Sequence, residues 1–337
     1  MPVTRKQVAE LASVSEATVS YVINNGPRPV AAETRERVLK AIRELGYSPS
    51  DVARSLRTQR TSTVGLILPD TVNPFYGEVA QVIENICYER GYTLFLCNSS
   101  MSEAREQDYV NVLRSRRVEG VILIPTSADT RAASQLREAG ICTVVLEYEI
   151  DGAHCIIVDE FRGGLLLTQH LLGLGHRRIG CIVLAEDTSS SKARFDGYCA
   201  GLQQAGAALD ESLVVRTRPE IAASEAAAFA LLDLPNPPTA IFVHNDTLAL
   251  GVLSAVRKRG LSVPRDISVA GYDDIVESAF FNPPLTTIAY PKRQIGEEAV
   301  ALLFNLIQNQ DGAGSPFTRM LPVTLIERES TAPPLLY

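Results

Sequence analysis

Apolar positions in the first forty-five residues recur at helical spacing, in three short bursts. Thr4-Arg5-Lys6-Gln7 has the spacing of a capping box, and Val8 and Leu11 behind it give one apolar stripe. Ala12-Ser13-Val14 reads as a turn. Ser15, with Thr18 three residues on, caps a second helix whose inward face is Val19, Val22 and Ile23 and which ends at Asn24-Asn25-Gly26-Pro27. A third helix over about 32 to 45 carries Val38, Leu39, Ile42 and Leu45 on one side. Gly46 is placed for a left-handed stop, and Pro49 bars continuation. Two short helices joined by a three-residue turn and braced by a third is the helix-turn-helix layout, whose second helix enters a DNA major groove. Its outward residues here are Ser15, Glu16, Ala17, Thr18, Ser20 and Tyr21. A three-helix protein-interaction module fits the same pattern.

From Thr61 the pattern changes to short apolar runs alternating with helical stretches. Strands are predicted at Val64–Leu68, Thr93–Leu96, Val121–Ile124, Thr143–Leu146 and Cys155–Val158. A second set follows at Ile179–Leu184, Leu213–Val215, Ala240–Val243 and Ser268–Ala270. Helices fall near 75–90, 103–115, 130–139, 161–172, 192–205, 222–232, 246–258 and 292–309. Buried parallel strands alternating with helices imply two doubly wound parallel-sheet α/β subdomains, and facing subdomains of this kind enclose one cleft beyond their strand ends.

Composition changes this picture little; charge changes it more. The chain has 337 residues, enough for two or three domains, with 46% hydrophobic and 21% charged residues, ordinary for a soluble protein. The first ten residues lack a signal-peptide stretch and no apolar run reaches membrane-span length, so a cytoplasmic protein without membrane contact is expected. The net charge of −7 argues against general nucleic-acid binding. Its distribution points elsewhere: residues 1–60 carry a net of +4 and residues 61–337 a net of −11, a basic head on an acidic body. The six cysteines are scattered, with no C-x-x-C pair, and read as reduced buried thiols; no metal site is expected. No G-x-G-x-x-G, Walker A or G-x-S-x-G motif occurs, Gly163-Gly164 lacks a phosphate-binding signature, and the four histidines are not at ligand spacing. No cofactor and no catalytic residue is expected, and the chain reads as a non-enzyme.

Three segments carry a resemblance that covers the whole chain: VTRKQVAELASVSEATVSYVINN from Val3, ETRERVLKAIRELGYSP from Glu33, and ARSLRT from Ala53. The sequence resembles the lactose/galactose-repressor (LacI/GalR) family of bacterial transcription regulators. The resemblance implies base-reading positions at Glu16, Ala17 and Tyr21. It further implies DNA contacts from Thr4, Ser15, Thr18, Ser20 and Asn24; Arg28 in the following loop is a further candidate for a DNA contact and equally fits an ordinary solvated loop arginine. Many members carry Arg where Tyr21 stands, so the docking carries over but the operator bases do not. Residues 50–60 correspond to the hinge helix and linker, too short to be stable alone. There Leu56 matches a minor-groove wedge, Ala53 the small residue beneath it, and Arg54 a phosphate contact. The domains implied are 1–49 for DNA binding, 50–60 for the hinge, and 61–337 for effector binding and dimerisation. The last is of the periplasmic-binding-protein-like type. Its N-subdomain spans about 61–159 plus 290–320, and its C-subdomain about 160–289 plus 321–337.

By the same resemblance Arg194, Asn245 and Asp273 form the hydrogen-bonding set for an effector. Asp70, Asn73 and Glu147 are further polar candidates, and Phe75, Tyr76 and Tyr148 can stack on a ring face. Each has a plainer alternative: Asp246 capping its helix, Asp274 holding its turn, Arg194 bridging the subdomains. His176 reads as a packing or capping residue. Where Glu147 stands the family usually has Asp, and the absence of Trp leaves any sugar stacking to Phe or Tyr. The expected partners are double-stranded operator DNA, a small-molecule effector of carbohydrate type, and a second copy of the chain. The dimer surface is expected from the helix after Asn73 and the segment around Ala279–Pro284. The tail holds no tetramerising heptad. A sequence-specific regulator, repressing and effector-controlled, is therefore expected. Its rivals are a solute-binding protein of periplasmic type without a DNA role and an α/β enzyme acting on sugars.

Overall fold

The computed structural model describes residues 3–24, 29–47, 60–129, 131–185, 188–309 and 315–335. The chain divides into two compact units, Met1–Thr61 and Ser62–Tyr337. The hinge candidates Ala53, Arg54 and Leu56, and the loop candidate Arg28, lie outside the described residues.

In the first unit α1 (Arg5–Leu11) starts from Thr4, whose side chain accepts from the Gln7 amide while Gln7 bonds back to the Thr4 amide. That reciprocal cap satisfies two of the free N–H groups at the helix start. The turn places Ser13 at a positive φ of 52°. Then α2 (Glu16–Asn24) begins with Ser15 Oγ accepting from the Thr18 amide at 3.1 Å. Finally α3 (Ala32–Leu45) stops at left-handed Gly46. Val8, Ala9, Ala12, Val19, Val22, Val38 and Ala41 make the core, with Ile23, Ile42 and Leu45 packed around it. Leu39 is exposed, although the apolar stripe grouped it with the buried positions.

The second unit holds two six-stranded sheets. The first is built from β1 (Thr63–Leu68), β2 (Thr93–Asn98), β3 (Gly120–Leu123), β4 (Cys142–Leu146), β5 (His154–Val158) and β11 (Thr318–Leu321), in the order β11-β5-β4-β3-β1-β2. Every pair in it is parallel. The second contains β6 (Ile179–Leu184), β7 (Val214–Thr217), β8 (Ala240–Val243), β9 (Ser268–Asp273), β10 (Thr286–Ala289) and β12 (Thr324–Ile326), in the order β12-β10-β9-β8-β6-β7. Only its β10–β12 pair is antiparallel. The crossovers are α4 (Pro74–Glu89), α5 (Glu103–Arg116) and α6 (Arg131–Glu138) for the first sheet. For the second they are α8 (Ser189–Gln204), α9 (Ile221–Leu232) and α10 (Asp246–Lys258). Between the sheets α7 (Glu160–Gly173) leads into the second, and α11 (Lys292–Gln308) returns to pack on α4 and on β3 and β4 of the first. The chain thus passes between sheets three times, after β5, after β10 and after β11.

Strand order decides where a ligand can sit. In each sheet the order reverses at one point, between β1 and β3 in the first and between β6 and β8 in the second. Connections leave in opposite directions at such a point and open a crevice beyond the strand ends. Sequence expectation and structure differ at β10 and β11, which were not foreseen. Polar Thr286 and Thr287, fully buried, break the apolar run in β10, and β11 is an edge strand whose first three residues are exposed. No helix among the described residues is long and apolar enough to cross a membrane.

One packing feature fixes the later chemistry. Helices α7 and α8 cross backbone to backbone. A Cβ on Gly164 would stand 2.1 Å from the Arg194 carbonyl oxygen, and one on Gly197 2.2 Å from that of Phe161. Only glycine allows this approach, and it brings Glu160 of α7 beside Arg194 of α8.

Candidate functional site

In the first unit Ser15, Glu16 and Ala17 are exposed at the start of α2, while Thr18, Ser20 and Tyr21 are half-buried on the same helix. Asn24 closes it. Ser15 Oγ also lies 2.9 Å from Thr18 Oγ1, so the two hydroxyls hold each other at the helix start. Glu16 pairs with Arg5 at 3.4 Å across the turn. The side chain of Thr4 is engaged in its cap.

In the second unit all eight cleft candidates, Asp70, Asn73, Phe75, Tyr76, Glu147, Arg194, Asn245 and Asp273, line a single cavity between the two sheets. It is lined by loops that follow β1, β3, β4, β6, β8 and β9, which includes both reversal points. Its free volume of about 70 Å³ is small beside the ~300–1,000 Å³ of clefts that enclose larger ligands. Two side-chain bonds cross it: Thr247 Oγ1 donates to Asn73 Oδ1 at 3.3 Å, and Ser189 Oγ donates to the Glu147 carbonyl at 3.3 Å. Elsewhere Glu78 of α4 accepts from the Val276 amide at 3.0 Å and pairs with Lys292 at 2.9 Å.

Several candidates are committed locally. Asp70 accepts from the Val72 and Asn73 amides at 2.8 and 3.2 Å, which shapes the turn after β1. Asn73 caps α4. Asn245, not Asp246, is the cap of α10, with Oδ1 accepting from the Leu248 amide at 2.9 Å. Asp246 points the other way and is fully buried. It accepts from Thr287 Oγ1 at 2.6 Å and from the Ile275 amide at 3.0 Å. Asp274 pairs with Arg328 at 2.6 Å and holds its turn. His176 is a packing residue, bonded to Thr239, Ser268 and the Ala332 carbonyl.

Arg194 does not bridge the two subdomains. Its partners all belong to the second: Glu160 bidentately at 2.8 and 3.1 Å, the His244 carbonyl at 2.8 Å, and Asp273 at 3.2 Å. Its guanidinium also lies over the Tyr272 ring, 3.7 Å from the centroid. A buried guanidinium needs such a set to replace lost water. Glu160 is therefore as much part of the site as Arg194, yet the sequence offers no signal for it. As the first residue of α7 after the Asp159 cap, it reads as an acid complementing the helix dipole.

Electrostatically the cleft is acidic. Glu147 follows β4 at a positive φ of 65°. Burial, reinforced by the neighbouring Glu160 and Asp273 carboxylates, pushes its carboxyl up to about 8. Burial likewise raises Asp273 to about 7, against the opposing pull of Arg194. Burial and the Arg194 charge hold His244 well below its usual range, so its ring is neutral. Next to Glu147 stands an aromatic wall: Phe75 meets Tyr76 and Tyr290 edge-on, at centroid distances of 4.9 and 4.7 Å. Phe75 is itself in the core, so its ring is more wall than platform. No group of three or more His, Cys, Asp or Glu among the described residues is arranged to hold a metal.

Two family models match the sequence, bacterial regulatory proteins of the lacI family over residues 4–50 and a periplasmic binding protein-like domain over residues 168–331. The HTH-type transcriptional repressor PurR of Aliivibrio salmonicida (strain LFI1238) is 38% identical over 310 residues, which cover 91% of this chain and 93% of that protein. Among solved structures, the lac repressor dimer bound to operator and the anti-inducer ONPF is 30% identical. It superposes with a TM-score of 0.85 over 98% of this chain and 100% of its own. The transcriptional regulator CelR in complex with cellobiose is 32% identical, with a TM-score of 0.72 over 97% and 99%.

Proposed function

This chain belongs to the lacI family of bacterial regulatory proteins, and on that premise we propose that it is a homodimeric repressor whose operator affinity is set by a small hydroxylated effector bound between its two sheets. One observation carries the reading. A chain with a capped helix-turn-helix also gathers eight polar and aromatic residues into one cleft at two sheet reversal points.

The recognition helix α2 presents Ser15, Glu16, Ala17, Thr18, Ser20 and Tyr21 to a major groove, and Leu56 pairs kink the central step. Thr4, Asn24, Arg28 and Arg54 position the protein on phosphates, and Ala53 gives Leu56 room. Two copies bind a pseudo-palindrome because a dimer's two-fold axis must match the operator's. Dimerisation through α4 and the segment at 279–284 is supported by exposed apolar side chains at both places, Tyr88 at 76% and Phe280 at 82% exposure.

In the cleft the effector's hydroxyls bond to Asp273, Arg194 and the free amide of Asn245, and its ring lies along Tyr76. A hexose-sized effector does not fit while the Thr247–Asn73 and Ser189–Glu147 bonds close the space. Binding therefore shifts the balance between open and closed arrangements, and effector and operator affinities change each other by the same factor. The CelR complex with cellobiose supports a carbohydrate-like effector. The test is operator affinity measured by fluorescence anisotropy against a panel of sugars and nucleosides, for the natural protein and Asp273→Ala. The response to the active compound should vanish in the variant while effector-free operator affinity stays. A response that survives Asp273→Ala moves the effector out of this cleft.

A further inference from the structure

The charge inventory of the cleft does not balance, and the imbalance says what kind of molecule completes it. Glu160 takes two donors of Arg194 and cancels its charge. Asp273, 3% exposed, lies 3.2 Å from Arg194, but its Oδ1 is off line and makes no hydrogen bond. Glu147 forms no ion pair among the described residues: the Arg194 charge acts on it only from a distance, with Arg194 paired to Glu160 and Asp273, and its neighbour is the Tyr76 hydroxyl. The other nearby cation, Lys292, is turned away: it donates to the Asp273 and Asp274 carbonyls and pairs with Glu78. His244, 3% exposed, lines the same space, with Nδ1 unpartnered and the ring held neutral. Two carboxyl groups thus face the cavity without a full counter-charge, beside the rings of Phe75 and Tyr76.

Carboxylates next to aromatic faces form a recognition environment for an ammonium group, since the negative face of the ring and the acid both attract positive charge. Resting on the effector reading above, we propose that the cleft selects a hydroxylated organic ammonium, such as an amino sugar, with Glu147 and Asp273 receiving the cationic nitrogen. A neutral polyol satisfies the hydrogen bonds but leaves the excess acid in place. An anion such as a sugar phosphate holds Glu147 in its protonated form and finds Arg194 already paired with Glu160 and Asp273. The three helices that start at the cleft offer it little, because Asn73, Thr188 and Asn245 each cap their own helix with a side-chain oxygen. Glu147 rather than the shorter Asp extends the acid by one methylene toward Tyr76, and makes it the specificity determinant.

The experiment compares matched pairs, so that charge rather than stereochemistry is read. Tris and its neutral triol isostere 1,1,1-tris(hydroxymethyl)ethane are titrated against the full-length protein at neutral pH in phosphate and in a second amine-free buffer of different ionisation enthalpy, with thermal stabilisation and calorimetry as readouts. Hexoses are then compared with their 2-amino-2-deoxy and 6-phosphate derivatives. The amine of each pair should bind at least about tenfold tighter than its neutral partner, and the phosphates not at all. Amine binding should also release protons from Glu147, seen as a heat that changes with the ionisation enthalpy of the buffer. Glu147→Gln should erase both the preference and the proton release, with Asp273→Asn as a second variant should the first misfold. Neutral members that bind as well as or better than the amines would overturn the ammonium assignment and leave the effector reading standing. If no small molecule of any class stabilises the protein or alters its operator affinity, the effector reading falls as well.

Discussion

Gly164→Ala tests whether the α7–α8 crossing builds the site. The added Cβ would stand 2.1 Å from the Arg194 carbonyl oxygen, 2.9 Å from its carbonyl carbon and 3.0 Å from its Cα. All three are backbone atoms, so no side-chain rotation relieves the clash. Reaching ordinary contact forces the helices apart by about 1 Å. Overpacking of this kind costs roughly 1–3 kcal/mol, offset by about 1 kcal/mol from replacing a helical glycine. The net loss is therefore about 0–2 kcal/mol, or up to about 8 °C in Tm for a unit of this size, and the gap to a glycine replaced without a clash is about 1–3 kcal/mol. Gly173→Ala is the control: it lies on the same helix, is exposed, and its Cβ would meet nothing within 4 Å. Thermal melts of the two variants in the full chain measure the difference. Because the displaced backbone is that of Arg194, effector affinity should fall in Gly164→Ala alone. Equal stability and equal effector affinity in the two variants would refute the argument that this crossing positions Arg194 against Glu160.

Two further outcomes are expected. Glu147, held at about 8, and Asp273, held at about 7, both exceed unfolded values near ~4. The native state therefore binds more protons than the unfolded state between those limits, so ligand-free stability should fall as pH rises through the window from ~4 to ~8 and level off above it. Urea midpoints across that range should show the decline, and Glu147→Gln should flatten it; a variant as steep as the natural protein contradicts the placement of Glu147. Leu56→Ala should weaken operator binding by a few kcal/mol through lost minor-groove wedging while effector affinity stays. Unchanged operator affinity would remove the hinge from the account.

How much of this was legible in the chain depends on whether the signal was local. The capping box at Thr4, the stop at Gly46 and the helix and strand runs of the body are sequence-neighbour effects, and the elements form where those patterns place them. Strands β10 and β11, late in the chain, were not legible. Thr286 and Thr287 are buried because Thr287 bonds to Asp246 forty-one residues away, and no local pattern records that. Arg194, Asn245 and Asp273 were legible through the family resemblance and the other cleft residues through their places at strand ends and in the turns after them, yet the job of each was not. Asn245 proved to be the cap that Asp246 seemed to be, and Arg194 turned inward to Glu160 rather than across the cleft. Gly163-Gly164, noticed only as lacking a phosphate signature, is where two helices touch. The acidity of the cleft is a property of burial plus convergence, neither of which a linear sequence displays.

The central claim is that one chain reads a DNA sequence and a small molecule together. Selection of bound duplexes from a random pool by the purified full-length protein, with and without metabolite extract, tests it most directly. The account predicts enrichment of a palindrome of roughly 14–20 base pairs with a deformable central step, at a yield the extract changes. No enriched sequence under either condition would contradict it.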